Sequence, residues 1–113
     1  MASPSIQVRQ VQLALLLTEA AAAFVIVGGT ARLLRGDRHT PSDLDVAATS
    51  DQSVRLSIAL RALSPGPRAP QPKKVGPWRV ITSWSPLDVF VEDDLPAWHT
   101  IEIDGTRLWV ADE

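Results

Sequence analysis

The sequence contains no cysteine and no tyrosine, and only two histidines and one methionine among its 113 residues. Without cysteine the chain can form neither a disulfide framework nor a thiolate zinc site, and we expect a reducing, cytoplasmic setting. An excess of positive charge is also lacking, because the formal net charge is −2, which gives no general attraction to nucleic acid. With 45% hydrophobic residues, we expect one compact domain over residues 1–113.

A long uninterrupted hydrophobic run is absent as well. The apolar stretch at residues 13–27 resembles the core of a secretory signal, but Thr18 and Glu19 interrupt it. Apolar residues recur at helical spacing over residues 6–23, which predicts an amphipathic helix packed on a sheet. We therefore expect no membrane association.

What the chain does contain is an apolar segment that leads into two glycines. Residues 24–27 predict a strand buried on both faces, and Gly28 and Gly29 permit a tight turn. We expect Thr30 to cap or open a short helix directly after the turn. Such a helix start would present backbone N–H groups, the Thr30 hydroxyl and Arg32 to a phosphate, whereas a simple turn is the alternative.

Two carboxylates follow at the spacing of a strand. The strand period of two places Asp43 and Asp45 on one face and sends Leu44 and Val46 into the core. Paired carboxylates at the mouth of a strand suit a hard divalent cation such as Mg²⁺. The alternative is a loop aspartate followed by a solvated strand residue.

A third carboxylate lies in a later apolar segment. Residues 78–84 and 87–91 predict two adjacent strands, joined by a turn at residues 85–86. Asp88 interrupts the second strand, where burial of an unpaired charge is costly. It either completes a triad with the two upstream aspartates or faces solvent beside Glu92.

The remaining elements complete a layered fold. They are a helix begun by a cap cluster at residues 49–51 and continuing to residue 63, an irregular exposed loop at 64–77, and a hairpin of strands at 99–103 and 107–110 around a turn at 104–105. We therefore expect an α/β (α+β) domain with a small mixed β-sheet and helices on one face.

Basic and aromatic residues offer further candidates for ligand contact. Local positive charge comes from Arg32, Arg35, Arg38, Lys73 and Lys74. The arginines recur every third residue, which is typical of a nucleic-acid-binding stripe or of a solvated helix face. His39 is expected in a solvated loop and His99 in a structural role. Tryptophans 78, 84 and 109 lie in strand-like sequence and are expected to pack, although an exposed indole can stack on a base.

Together the motifs resemble the nucleotidyltransferases of the DNA polymerase beta type. That superfamily has an apolar strand, Gly-Gly or Gly-Ser, a spacer, Asp-x-Asp on the next strand and a third acid on a later one. The matching stretches are residues 27–32, 38–46 and 87–89. They look most like a small bacterial branch that includes the AbiEii-like toxins of abortive-infection systems and minimal nucleotidyltransferases. Family members usually continue with further helices, so the resemblance implies either a fragment or a minimal module that works with a partner chain or a homodimer mate.

The resemblance implies a reaction and a nucleotide site. The reaction would transfer NMP from an NTP, such as ATP, to a hydroxyl of tRNA, another nucleic acid, a protein or a small molecule. Gly28 and Gly29 would cradle the triphosphate, Thr30 would touch its terminal phosphates, and Arg32 would add a positive charge.

The resemblance also implies a metal site. Asp43, Asp45 and Asp88 would hold two Mg²⁺ ions, with Mn²⁺ as a substitute, and Asp88 would lie beside the attacking hydroxyl. A role in a toxin–antitoxin or phage-defence system follows from the resemblance alone. The alternative is a catalytically silent module that binds nucleotide or acts as an antitoxin-like partner. A glycosyltransferase also uses Asp-x-Asp, but its fold requires a longer chain.

Overall fold

The computed structural model describes residues 8–38, 40–63 and 76–113. Its helices are α1 (Arg9–Glu19), α2 (Gly28–Leu34) and α3 (Ser50–Leu63). Its strands are β1 (Val25–Val27), β2 (Leu44–Ala48), β3 (Trp78–Ile81), β4 (Pro86–Val91), β5 (Trp98–Ile103) and β6 (Thr106–Ala111). None of the helices in these ranges is both long and apolar enough to cross a bilayer.

The strands form one mixed sheet in the order β3-β4-β2-β1-β6-β5. β2 is parallel to β4 and β1 is parallel to β6, while the other neighbouring pairs are antiparallel. The central strand β1 is buried on both faces, as its sequence predicts, since Val25 and Ile26 are both fully buried. The expected mixed α/β class is confirmed.

The hydrophobic core lies on one face of this sheet. Strand side chains that line it include Ile26, Leu44, Val46, Leu87, Val89, Leu108 and Val110. Leu17 of α1, Ala31 of α2 and Leu56 of α3 belong to the same buried cluster. All three helices therefore cover one face, and the strand residues of opposite parity, Asp45 and Asp88 among them, lie on the other face.

Helix α1 is shorter than the helix expected over residues 6–23, of which residues 6 and 7 lie outside the described residues. It ends at Glu19 because Ala21 takes a left-handed conformation with φ of 65°. The backbone N–H groups of Ala21 and Ala22 donate to the carbonyls of Thr18 and Leu17, which forms a Schellman motif. The chain can then turn toward β1, and Ala22 and Phe24 are buried.

Helix α2 begins two residues earlier than expected. The helix starts at Gly28, and its N-cap residue, Val27, makes no side-chain capping bond. The prediction that Thr30 caps or opens this helix is therefore wrong. Of the three arginines that recur every third residue, only Arg32 lies inside α2, because Arg35 is the C-cap residue and Arg38 lies beyond it.

Helix α3 begins where the cap cluster predicts. Thr49 Oγ1 accepts a hydrogen bond from the Gln52 backbone N–H at 3.3 Å, and Gln52 Oε1 accepts one from the Thr49 N–H at 3.0 Å. This reciprocal pair is a capping box. Most of the expected loop at residues 64–77 lies outside the described residues.

The β3–β4 connection differs from the expected one. The strand expected over residues 78–84 ends at Ile81, and the turn lies at residues 82–85 rather than 85–86. Thr82 Oγ1 accepts hydrogen bonds from the N–H groups of Trp84 and Ser85 and so fixes this turn. Trp84 consequently lies in the turn and packs, partly buried, against the core.

The hairpin of β5 and β6 forms as expected around Asp104 and Gly105. Both residues have positive φ, 50° and 81°, as a type I′ turn requires. Trp98 and Trp109 stack on this hairpin with ring centroids 4.5 Å apart. His99 Nδ1 is 2.6 Å from Asp112 Oδ1, a contact that joins β5 to the residue after β6.

Candidate metal centre

Three carboxylates meet on the face of the sheet opposite the helices. Asp45 of β2 is the direct neighbour of Asp88 on β4, because the two strands are parallel and in register at these residues. Asp43 comes two residues before Asp45, immediately ahead of β2. One oxygen from each of the three lies within 4.8 Å of the others. The structure thus brings together the three acids that the sequence singled out.

Gly28 closes one side of the acidic cluster. Val27 pairs with Asp45 across β1 and β2, so the next residue lies close to the Asp45 carboxylate. A Cβ placed on Gly28 would lie 2.7 Å from Asp45 Oδ2, and Gly28 has φ of 66°. Glycine is therefore needed here both for its backbone conformation and for the space that it leaves.

Thr30 connects α2 to the segment that carries Asp43. Thr30 is fully buried, and its hydroxyl donates a hydrogen bond to the Asp43 carbonyl oxygen at 3.0 Å. A contact between this hydroxyl and phosphate would require the Asp43 bond to break. The geometry indicates that Thr30 positions Asp43.

Within the described residues, the basic side chains of Arg32, Arg35 and Arg38 form no hydrogen bond or ion pair with the acidic cluster. Arg32 Nε is 3.4 Å from Asp37 Oδ2, and both side chains are more than half exposed. Arg35 Nη1 donates to the Ala111 carbonyl oxygen at 2.8 Å, and Arg38 is exposed. His39, Lys73 and Lys74 lie outside the described residues.

Arg79 is the site residue that the sequence reasoning missed. Its Nη1 donates to Asp88 Oδ2 at 2.9 Å, to Asp88 Oδ1 at 3.2 Å and to Asp43 Oδ2 at 3.3 Å. Arg79 lies on β3 directly opposite Asp88. A β3–β4 hairpin whose turn is centred between residues 83 and 84 places Arg79 opposite Asp88. The turn was expected at residues 85–86, so the sequence did not indicate this pairing.

The electrostatics of the cluster are those of crowded carboxylates. Burial raises the pKa of Asp45 from 3.8 to about 6, and the charge of Asp88 and a hydrogen bond with it add to the increase. The charge of Asp43 raises the pKa of Asp45 further, and the charge of Arg79 lowers it. The pKa of Arg79 is raised in turn, chiefly by its hydrogen bond to Asp43. A second cation would relieve the remaining repulsion.

The donor set fits a hard cation. Carboxylate oxygens are the ligands that Mg²⁺ prefers, and here they converge from two strands beside a glycine that leaves room for them. The Asp45 carboxyl is partly desolvated, so a bound cation would compensate a charge that burial disfavours. The cluster is chemically suited to bind a divalent metal ion.

Comparison with known proteins gives no match among protein-family models, curated proteins or solved structures. Assignment of a function therefore depends on the motif residues and on the geometry of the cluster.

Proposed function

We propose that the protein is a metal-dependent nucleotidyltransferase that transfers NMP from an NTP to a hydroxyl acceptor. The observation that carries this proposal is the convergence of Asp43, Asp45 and Asp88 within 4.8 Å of one another, beside the Gly28 turn. These residue types, in this order along the chain, also carry the resemblance to the polymerase beta-type superfamily.

The three aspartates would hold two Mg²⁺ ions, for which Mn²⁺ can substitute. When bound, these ions neutralise the triphosphate and acidify the attacking hydroxyl. The carboxylates would supply the negative charge and fix the positions of their oxygens. No serine, cysteine or histidine nucleophile is needed for such a transfer.

The chain's own groups would bind the nucleotide and take up the proton. The acceptor oxygen forms a bond to the α-phosphorus, and the bond from that phosphorus to the pyrophosphate oxygen breaks. Asp88 would receive the hydroxyl proton at its carboxylate. The phosphates would be contacted by the backbone N–H groups of Gly28 and Gly29 and by the guanidinium of Arg32. The Thr30 hydroxyl would hold Asp43 in place by donating to the Asp43 carbonyl oxygen.

The acceptor belongs to the same proposal. tRNA, another nucleic acid, a partner protein or a small molecule can each offer the hydroxyl. A partner chain or a homodimer mate would supply the basic surface that a nucleic-acid acceptor requires, because this chain carries a net charge of −2.

A second function is favoured by the position of Arg79. Its guanidinium already forms ion pairs with Asp43 and Asp88, and this partial charge compensation needs no metal. In this alternative the protein is a catalytically silent module that binds nucleotide or acts as an antitoxin-like partner. It would bind nucleotide without transferring label to any acceptor.

Label transfer tests the two functions. The protein is incubated with each NTP labelled at the α-phosphate, with Mg²⁺ and with either total RNA or a cell lysate. We expect one NTP to label an acceptor, and we expect EDTA and the variant Asp43→Asn to abolish the labelling.

Asp94→Asn is the matched control, since it removes the same charge from an exposed residue after β4. Its labelling should equal that of the wild type. Nucleotide binding without labelling of any acceptor would reject the transferase and support the silent module.

A further inference from the structure

Arg79 bridges carboxylates that come from two separate parts of the chain. Asp88 belongs to β4, next to Arg79 on β3, whereas Asp43 precedes β2 on the far side of β4. A single nitrogen, Nη1, makes all three hydrogen bonds, at 2.9 to 3.3 Å. One unit of positive charge thus already lies among the oxygens that would bind a metal ion.

A divalent ion and this guanidinium cannot use the same oxygens equally well. Mg²⁺ coordinates oxygens at about 2.0–2.1 Å, so an ion on Asp43 and Asp88 would lie very near Nη1. Like charges at such a distance repel. The carboxylate oxygens that accept hydrogen bonds from Nη1 would also have to bind the ion instead. Metal binding therefore requires the Arg79 side chain to withdraw.

The structure allows this withdrawal. The Arg79 side chain is 50% exposed, and β3 is an edge strand of the sheet. Within the described residues its hydrogen bonds go to these two aspartates. The guanidinium can swing into solvent without disturbing the core, which lies on the other face of the sheet.

We propose that Arg79 is a built-in competitor of the divalent ion, which must displace it from Asp43 and Asp88. This inference rests on the proposed function and deepens it, because it assigns a residue that sets the metal concentration at which the site is filled. The bridge also offsets part of the negative charge of the metal-free site, which favours the carboxylates remaining together before the ion binds.

The test measures binding of Mn²⁺ alone, by calorimetry and by the electron paramagnetic resonance of the free ion. Arg79→Gln should bind Mn²⁺ about two- to fivefold more tightly than the wild type, the range expected for removal of an exposed charged partner. Arg79→Lys keeps a competing charge, and its affinity should lie within about twofold of the wild-type value. Circular dichroism and thermal melting establish that both variants are folded.

Arg107→Gln is the matched control, because it removes an equal charge on β6, opposite Glu102 of β5. It should leave the Mn²⁺ affinity at the wild-type value. Equal tightening in Arg107→Gln or in Arg79→Lys would overturn the proposal, since the effect would then not arise from displacement of this guanidinium.

The outcomes separate this inference from the proposed function. Unchanged or weaker Mn²⁺ binding by Arg79→Gln overturns the inference and leaves the transferase intact. Tighter binding by that variant without NMP transfer by the wild type supports the inference and rejects the transferase. Binding by Arg79→Gln alone supports the inference and favours the silent module, and binding by neither protein overturns both proposals.

Discussion

Gly28 lies against the carboxylate of Asp45 with no space between them for a side chain. A Cβ at this position would be 2.7 Å from Asp45 Oδ2, and the backbone φ is 66°. Both the position of the carboxylate and the path from β1 into α2 depend on the missing side chain.

The variant Gly28→Ala should therefore lose stability and metal binding together. We expect a loss of about 1–3 kcal/mol in the free energy of unfolding, from left-handed backbone strain and from displacement of Asp45. Urea denaturation measures the first effect and Mn²⁺ titration the second. Gly105→Ala is the control. Gly105 also has a positive φ, of 81°, but a Cβ there would have nothing within 4 Å, so this variant should lose stability and keep the wild-type Mn²⁺ affinity. Equal Mn²⁺ binding by both variants would contradict the role given to Gly28.

Asp45 makes the stability of the metal-free protein depend on pH. Its pKa rises from 3.8 to about 6 on folding, so between these values the folded state binds the proton more tightly than the unfolded state. The Asp45 contribution to stability is therefore present at low pH and is lost as pH rises toward 6 and above.

The variant Asp45→Asn should remove this pH dependence. In EDTA, we expect it to gain stability relative to the wild type as the pH is raised from 4 to 7. Urea denaturation at several pH values measures the difference. Asp94→Asn, at an exposed residue, should follow the wild type throughout. A wild-type pH profile in Asp45→Asn would show that burial of this carboxyl is not the cause.

Helix termini account for most differences between the expected and observed elements. The alanines at positions 20–23 favour helix by intrinsic propensity, yet α1 ends at Glu19. The Schellman motif at Ala21 and Ala22 is favoured over continued helix because it allows Ala22 and Phe24 to be buried. By contrast, the start of α3 was predictable because a capping box involves only residues three apart.

The cap of α3 makes a quantitative prediction. Thr49→Ala removes the hydroxyl that accepts the Gln52 N–H, and we expect a loss of about 1 kcal/mol in the free energy of unfolding. Urea denaturation provides the measurement. Thr40→Ala changes an exposed threonine outside any element and should stay within about 0.5 kcal/mol of the wild type. A comparable loss in both variants would mean that the cap adds little to stability.

The molecule as a whole assembles the acidic site from strands that are distant in sequence. Asp45 and Asp88 are neighbours only because β2 and β4 pair in parallel. An unfolded chain would hold these carboxylates far apart and would not bind a cation at all three. A metal ion that binds the site should therefore stabilise the fold.

Mn²⁺ should raise the melting temperature in proportion to the logarithm of its concentration. At a Mn²⁺ concentration about 100 times the Kd, we expect the free energy of unfolding to increase by about 2.7 kcal/mol. Thermal melts with Mn²⁺ and with EDTA measure it. Asp88→Asn should reduce the shift strongly, and Asp94→Asn should retain it. An identical shift in Asp88→Asn would place the ion elsewhere on the molecule.

The sequence by itself determined the features that depend on neighbouring residues in the chain. Alternation along a strand follows from backbone geometry, so Asp43 and Asp45 were expected on one side of β2. The need for glycine at position 28, the cap of α3 and the Asp104–Gly105 turn were predictable for the same reason. The choice of strand neighbours was not, because it depends on how the whole chain buries its apolar surface.

Only the tertiary structure decided that Asp88 and Arg79 join the two upstream acids. A shift of one residue between β2 and β4 would have turned Asp88 to the helical face, and the β3–β4 register alone brought Arg79 opposite it. Register is fixed by side-chain packing across the sheet and by turn geometry. Local sequence patterns do not predict that packing, because it involves residues that are distant in the chain. The three-acid cluster was therefore expected as one of two alternatives, whereas its bridging guanidinium was not expected at all.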